Sequence, residues 1–213
     1  MSYKILGQGL PVRLFVAGLH GNEWKDTSDI LENIQAPEKG TLAVIPVVST
    51  GNYVSTLDDS YFTTIGQSII EAVEELHPDI YIELHSYSAK NLAALTEPDR
   101  LQRVGVPAFS RLDHDVLLGS VGPFIRKKYF PAQALCLTFE IQKDNALSKK
   151  HATEIIDVVK ECTSKEDFIR FMFKLYPKQA ENVIRDYRNF YGLQDDLTMF
   201  MKKEKGEYNG KDR

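Results

Sequence analysis

Two histidines and two glutamates have the chemistry needed to bind a metal and activate water. His20 and Glu23 lie three residues apart, directly after the apolar run 14–19, and His85 ends a second largely apolar run. Two imidazoles and one carboxylate are typical zinc ligands, and they leave one of four tetrahedral positions for water. Glu140 lies near the end of a third apolar run and has the chemistry of a general base. These residue types predict a zinc site at which Glu140 activates water.

The segments that precede these residues are typical of β-strands. Residues 12–19 are almost continuously apolar, residues 79–85 alternate in polarity, and residues 134–141 form another apolar run. Ligand sites in open α/β sheets form outside the carboxyl ends of the strands. We therefore expect His20, Glu23 and His85 to converge beside Glu140. In the structural alternative, Glu23 is a carboxylate favoured by a helix dipole and His85 is hydrogen-bonded within the sheet.

The wider pattern predicts an α/β layer fold with a helical C-terminal addition. The predicted strands span 3–7, 12–19, 41–48, 79–85 and 134–141, with further short strands at 92–96 and 106–110. The predicted helices span 23–35, 65–76, 150–162, 164–176 and 178–191, whereas 49–62 and 111–131 are irregular. We therefore predict an α/β domain over residues 1–148, a helical extension packed on it over residues 149–201, and a flexible tail over residues 202–213.

Three short segments resemble the zinc carboxypeptidase clan, in particular its succinylglutamate desuccinylase and aspartoacylase branch. Residues 20–23 are similar to the His-Gly-Asn-Glu signature of that branch, and residues 82–86 are similar to its third-ligand strand. Residues 137–140 occupy the place of its catalytic-glutamate strand, so the resemblance covers about residues 12–141. It implies a mixed eight-stranded sheet that lies between helices. It also implies a Zn2+ cofactor and the hydrolysis of an amide bond. An archaeal family within the clan would fit the size of the chain.

The residues that would hold the substrate depart from that branch, which carries an Asn-Arg pair between its second and third ligands. No arginine occurs here between Arg13 and Arg100, and Asn52 alone keeps half of the pair's role. Asp58 and Asp59 would repel an anionic substrate if they faced the site. Another cation could replace the missing guanidinium: the candidates are Arg100, Arg103, Arg111 and the cluster 126–128. Of these we predict Arg103, Arg111 and Arg126, with Asn52, as substrate-binding residues, although a solvated surface patch also accounts for 126–128.

The leading hypothesis is a zinc-dependent hydrolase that cleaves an amide bond in an N-acyl amino acid or peptide-like substrate. Glu140 takes a proton from water and later gives it to the leaving amine. The missing arginine motivates an alternative, a metal-binding or scaffold protein that keeps the fold without turnover. In that alternative the C-terminal helices bind a partner or a second copy of the chain, through Phe168, Phe171, Met172, Tyr187, Phe190 and Tyr191. Packing of these side chains into the core is the competing interpretation.

Composition narrows the classes of partner and compartment. The 213 residues carry a formal net charge of -4, which gives no general attraction to nucleic acid or an anionic membrane. No apolar run approaches the roughly 20 residues of a membrane span, and the N-terminus lacks a signal peptide's apolar core. Cys136 and Cys162 do not make a disulfide framework and suit a reducing compartment. No glycine-rich phosphate loop follows any predicted strand. We expect a cytoplasmic protein that acts on a small molecule or peptide.

Overall fold

The fold is that of a computed structural model, which describes residues 3–51 and 53–192. Its strands are β1 (Lys4–Gln8), β2 (Val12–Ala17), β3 (Gly40–Ile45), β4 (Ile80–Tyr87), β5 (Ser110–Arg111), β6 (Leu117–Ser120) and β7 (Leu135–Gln142). Its α-helices are α1 (Trp24–Glu32), α2 (Gln67–Leu76), α3 (Leu92–Thr96), α4 (Arg100–Val104), α5 (Pro123–Tyr129), α6 (Ala146–Glu161), α7 (Lys165–Leu175) and α8 (Pro177–Tyr191). The tail predicted over 202–213 lies outside the described residues.

The strands form one mixed sheet in the order β1-β3-β2-β4-β7-β6-β5. The inner strands β3, β2, β4 and β7 run parallel, whereas β1, β6 and β5 pair antiparallel to their neighbours. The described part of the chain therefore has seven strands in this sheet, rather than the eight that the resemblance implied. The predicted α/β class is confirmed, and β2 and β4 lie side by side at the centre of the sheet.

Apolar layers cover both faces of the sheet. One face packs against α1, α6, α7 and α8, through residues such as Leu31, Ile155 and Phe168. The other face packs against α2 and α5, through residues such as Ile69 and Ile125. Removing each such side chain from water contributes about 1.5–3 kcal/mol. The sheet is therefore rigid where its central strands present polar side chains.

The three C-terminal helices predicted from the sequence are present, and they join the core of the sheet. Phe168 and Met172 of α7 are buried among residues of the strands. Arg13 of β2 is fully buried, and its Nε and Nη2 donate to the carbonyl of Cys162, at the end of α6, over 3.0 and 2.7 Å. The backbone of the helical extension is thus bonded directly to a central strand.

Between residues 92 and 131 the structure departs from the prediction. Residues 92–96 form helix α3 rather than a strand, because Leu92, Ala93, Ala94 and Leu95 favour helix and no neighbouring strand pairs with them. The strand predicted at 106–110 is reduced to the two residues of β5. The region predicted as irregular contains β6 and α5, which starts with Pro123 in its first turn. No described helix is long and apolar enough to cross a membrane.

Candidate metal centre

The candidate centre lies at the carboxyl ends of the two central parallel strands. His20 follows β2, and His85 lies on β4, whose Leu84 is in register with Ala17 of β2. Helix α1, which follows β2, packs on one face of the sheet, and α2, which precedes β4, packs on the other. Connections that leave on opposite faces open a crevice at this edge of the sheet. The topology therefore brings His20 and His85 to the position where α/β proteins bind ligands.

A glycine, Gly18, allows the backbone before the loop that carries His20 and Glu23 to lie close to Trp24 of helix α1. Gly18 has a φ of +57°, and a Cβ there would lie 2.7 Å from the Cβ of Trp24. Thr27 fixes the same turn, since its hydroxyl accepts from the Gly18 amide over 3.1 Å and donates to the Glu23 carbonyl over 2.9 Å. Glu23 is the N-cap residue of α1 but makes no capping hydrogen bond. Its carboxylate is therefore free to turn towards the histidines.

His20, Glu23 and His85 form a compact buried triad. The Nδ1 of His85 lies 3.1 Å from Glu23 Oε2, and the Nδ1 of His20 lies 3.6 Å from the same oxygen. One ligand atom from each residue lies within 4.8 Å of the others. Their exposed fractions are 7, 6 and 4%, respectively. The structure brings together the three residues that the sequence analysis predicted as ligands.

Glu83 supports the triad from the interior of the sheet. The alternation predicted for β4 places its side chain on the same face as that of His85, and its Oε2 lies 3.4 Å from His85 Nε2. Tyr81 donates to Oε1 over 2.9 Å, and Thr138 donates to Oε2 over 3.1 Å. A carboxylate that accepts the second ring N–H of a histidine leaves the other nitrogen available to a metal. This role was not predicted, although the two-residue spacing of Glu83 and His85 on a strand indicates that their side chains share a face of the sheet.

The two histidines differ in charge in the metal-free protein. Burial and the charge of the neighbouring His85 together lower the pKa of His20 to about 4, against the opposing charges of Glu23 and Glu83, so His20 is neutral at pH 7. Burial also acts to lower the pKa of His85, but the charge of Glu23 and hydrogen bonds to Glu23 and Glu83 raise it well above its usual value. His85 therefore holds a proton that a metal would displace.

Glu140 lies beside the triad on the neighbouring strand. It is the register partner of His85 across the parallel β4–β7 pair, and it lines the same cavity. Burial raises the pKa of its carboxyl to about 7, with His85 acting to lower it and Glu23 to raise it. A carboxyl with a pKa near neutrality can both accept and return a proton at physiological pH. This position and pKa are those that a general base needs.

A cavity of about 380 Å³ opens above these residues, which is enough for a small organic molecule. Its polar wall includes the triad, Glu83, Glu140 and Lys143. Its apolar wall includes Leu57, Leu95, Val104, Val106 and Phe109. The ring of Tyr53 lies at the rim, 4.5 Å from the ring of His20. Neither Asp58 nor Asp59 lines this cavity, so the repulsion anticipated from them does not arise there.

The predicted substrate-binding arginines lie elsewhere. Arg103 is on the surface and contacts Glu97 and the carbonyl of Ala94. Arg111 pairs with Asp115 at an exposed position. Arg126 is buried against the C-terminal helix, where its Nε donates to the hydroxyl of Tyr187. These three arginines do not line the cavity of the triad, and Asn52 lies outside the described residues.

Among the described residues, one arginine and one lysine line the cavity instead, Arg100 and Lys143. Arg100 is one of the cations that could replace the missing guanidinium, although it is not among the three predicted substrate-binding arginines, and Lys143 was not predicted. The lysine follows Glu140 by three residues, just beyond β7, and this spacing in the sequence indicates a position near the same strand end. Nothing in the sequence distinguishes Arg100 from Arg103 on the same short helix, because the packing of that helix decides which arginine turns inward.

The fold and site define an α/β protein with a buried cluster of two histidines and a glutamate at the carboxyl ends of its central strands. The chain belongs to the family described as "Uncharacterized protein conserved in archaea (DUF2119)", whose profile matches residues 8–192. It is similar to "Uncharacterized protein MJ0501" of Methanocaldococcus jannaschii. The two are 32% identical over 206 residues, which cover 93% of this chain and 97% of the relative.

Among solved structures, the chain is similar to a variant of the cell shape determinant protein Csd4 from Helicobacter pylori. The TM-score is 0.30 and the identity is 22%; the match covers 41% of this chain and 28% of that protein. The predicted membership of the zinc carboxypeptidase clan was wrong, because the matching family and relative are the archaeal ones and neither points to that clan. The resemblance depended on short sequence segments at strand ends. Tight turns and polar strand ends favour the same residue types in unrelated proteins, so such segments do not show membership of a family.

Proposed function

We propose that the protein is a metal-dependent hydrolase that cleaves an amide bond in a small N-acyl amino acid or peptide-like substrate. The observation that carries the proposal is the convergence of the His20–Glu23–His85 triad and Glu140 in one cavity of substrate size. We place this chemistry in residues 1–148 and regard the described part of the predicted extension, residues 149–192, as helices packed on that part; residues 193–201 of the prediction lie outside the described residues.

The residues present fit a zinc ion. His20 Nδ1 is buried and has no hydrogen-bond partner among the described residues. An unsatisfied buried nitrogen is costly, and a metal bond would satisfy it. The donor set of two imidazoles and one carboxylate suits Zn2+, and the bond from Glu83 fixes the orientation of the His85 ring. His20, Glu23 and His85 would therefore hold the metal through His20 Nδ1, a Glu23 oxygen and His85 Nδ1.

Zn2+ bound at these three residues would polarise the scissile carbonyl and lower the pKa of water to near 7. Glu140 is positioned to accept the proton of the attacking water, because it is in register with His85 on the adjacent strand. The protonated Glu140 then donates that proton to the leaving nitrogen, so that the amine departs neutral. The apolar wall of the cavity excludes bulk water and strengthens these charge interactions.

Metal analysis of the untagged full-length protein tests the first part of the proposal. We expect about one equivalent of zinc in the wild type after loading and dialysis, and loss of that zinc in His20→Ala and His85→Ala. His77 and His114 are the matched controls because both are exposed; alanine at either should leave the zinc content unchanged. Equal zinc in His85→Ala and the wild type would overturn the assignment of the ligands.

A panel of N-acyl amino acids and short peptides tests the second part. The zinc-loaded wild type should hydrolyse at least one member, and Glu140→Gln should keep its zinc while losing about 10²- to 10⁴-fold in turnover, the usual contribution of a general base. Unchanged turnover in Glu140→Gln would remove Glu140 from the mechanism. A zinc-loaded wild type that is inert to the whole panel would favour the non-catalytic metal-binding or scaffold protein.

A further inference from the structure

The strongest unassigned feature of the cavity is the guanidinium of Arg100. This side chain is 8% exposed and lines the same cavity as the triad and Glu140. Its Nη1 donates to the carbonyl of Pro107 over 2.7 Å and lies 3.5 Å from that of Val106. Its Cζ lies 4.9 Å from the centroid of the Phe109 ring. Backbone carbonyls thus hold one edge of the guanidinium, and the Phe109 ring contacts one of its faces.

Within residues 3–51 and 53–192, the opposite edge of the guanidinium has no acceptor. Among the described residues, Arg100 Nε and Nη2 make no hydrogen bond and no ion pair with a carboxylate. A buried charge without a counter-ion is unfavourable, so natural proteins pair such charges. Burial lowers the pKa of the Arg100 guanidinium against an opposing effect of Glu140. The charge is therefore held in an unfavourable setting that an incoming anion would relieve.

The free edge has the geometry that a carboxylate matches. Nε and Nη2 present parallel N–H groups, which bind the two oxygens of a planar carboxylate at once. Arg13 uses the same edge in this protein, where its Nε and Nη2 share the carbonyl of Cys162. Leu95, Val104 and Val106 also line the cavity, and apolar surroundings strengthen an ion pair.

The other charges restrict where an anion could bind. The protonated His85 is already paired with Glu23 and Glu83, and the carboxylates of these two residues repel an anion from the metal-free triad. Lys143 also lines the cavity and, among the described residues, has no ion-pair partner. Its charge is close enough to act on the pKa values of His20 and Glu140. Arg100, with Lys143 as the second cation, is therefore the anchor available to a negatively charged group.

We propose that Arg100 binds a free carboxylate of the substrate, which makes the substrate class N-acyl amino acids or peptides with a free carboxyl group rather than neutral amides. This inference rests on the proposed function, because it assigns the substrate of the same cavity. The carboxylate bridges Nε and Nη2 of Arg100, and the scissile amide then extends towards the triad and Glu140.

The test is a binding titration that needs neither metal nor turnover. Metal-stripped full-length protein is titrated with N-acetylglycine and with N-acetylglycine amide, its neutral counterpart, and binding is followed by backbone amide chemical shifts. The acid should bind about 10- to 100-fold more tightly than the amide, the range for a hydrogen-bonded charge pair. Equal affinities in the wild type would overturn the proposal, and this comparison requires no substitution.

Variants then assign the preference to one side chain. Arg100→Gln should abolish the preference for the acid, and Arg100→Lys should retain part of it because the charge stays but the bidentate edge is lost. Arg103→Gln is the matched control on the same helix, and its preference should equal that of the wild type. An acid preference that survives in Arg100→Gln would overturn the assignment.

Two further outcomes separate this inference from the hydrolase proposal. If the acid preference is present but no zinc-loaded sample turns over substrate, the hydrolase proposal fails and the carboxylate site stands. If neutral amides are hydrolysed as fast as the free acids, the hydrolase stands and the carboxylate site fails. Inorganic phosphate is titrated in parallel, and tighter binding of phosphate than of N-acetylglycine at Arg100 would overturn the choice of carboxylate.

Discussion

His85 and Glu140 are register partners on the parallel strands β4 and β7. Register partners on adjacent strands lie about 4.8 Å apart along the hydrogen-bonding direction, and their side chains share one face of the sheet. The two groups that the proposed chemistry must hold together are thus fixed by strand backbone at the centre of the fold. Sites built on strands are held more accurately than sites built on loops. His20 and Glu23 come from a loop, and the turn at Gly18 and Thr27 holds that loop.

The first prediction concerns the pH dependence of stability in the metal-free protein. Burial raises the pKa of Glu140 to about 7 from an ordinary value of 4.5. Between these values the folded state holds a proton that the unfolded state releases, so stability falls as the pH rises through 7. Glu140→Gln removes this penalty, and we expect it to be more stable than the wild type by up to about 3 kcal/mol at pH 8. The gain should vanish at pH 4.

Urea denaturation in the presence of a chelator measures this difference. Glu32→Gln is the matched control, because Glu32 is exposed on α1 and does not line the cavity, so its substitution should change the unfolding free energy little. A Glu140→Gln difference that is the same at pH 4 and pH 8 would contradict the raised pKa.

The second prediction concerns protons released on metal binding. Glu23 and Glu83 keep His85 protonated against the effect of burial, whereas His20 is already neutral because its pKa is lowered to about 4. Zinc binding at pH 6 should therefore release about one proton, from His85. Calorimetry in buffers of different ionisation enthalpy measures that number. The Glu140→Gln background removes any contribution from Glu140, and binding without proton release there would show that His85 starts neutral.

The third prediction concerns the support that Glu83 gives to His85. Glu83→Gln keeps the shape of the side chain but weakens the acceptor for His85 Nε2, and zinc affinity should fall about 10- to 100-fold. Competition with a chromophoric chelator measures the affinity. Tyr81→Phe is the control, because Tyr81 bonds the other oxygen of Glu83, and its effect should be smaller. Equal losses in both variants would indicate general damage to the core rather than loss of ligand orientation.

The parts of the site that lie on strands could be predicted from the sequence. The apolar run before His20 and the alternation around His85 define strand ends, and the topology of α/β sheets brings such ends together. The same alternation fixes which side chains share a face, so the pairing of Glu83 with His85 was also within reach. Secondary structure and its periodicity therefore carry most of the information about the triad.

The presence of Arg100 in the cavity could not be predicted in this way. Arg100 and Arg103 lie on one helix of five residues, α4, and only tertiary packing buries the first and exposes the second. Arg126 belongs to a basic run that is typical of a solvated surface, yet its guanidinium is inside the protein. The local sequence pattern does not reveal how a short helix is rotated against its neighbours. That rotation decides whether each of these arginine side chains is buried or exposed.

The last prediction separates a structural arginine from a substrate-binding one. Arg126 is 2% exposed, and it donates to the hydroxyl of Tyr187 over 2.6 Å and to the carbonyls of Phe130 and Ala132 over 3.0 and 3.2 Å. These bonds tie α5 and the segment after it to α8. Arg126→Gln leaves buried carbonyls without a donor, and we expect a loss of about 2–4 kcal/mol in the free energy of unfolding. The KM of any substrate should not change.

Arg111→Gln provides the comparison, because the Arg111–Asp115 ion pair is exposed and its loss should cost under about 1 kcal/mol. Urea denaturation of the zinc-loaded proteins measures both values, and steady-state kinetics at a temperature where both variants are folded measures KM. If Arg126→Gln raised KM while leaving the unfolding free energy unchanged, Arg126 would be a substrate ligand, as the sequence alone suggested. Its position away from the cavity and its saturated hydrogen bonds favour the opposite result, since a guanidinium already bonded on Nε, Nη1 and Nη2 has no edge left for a substrate.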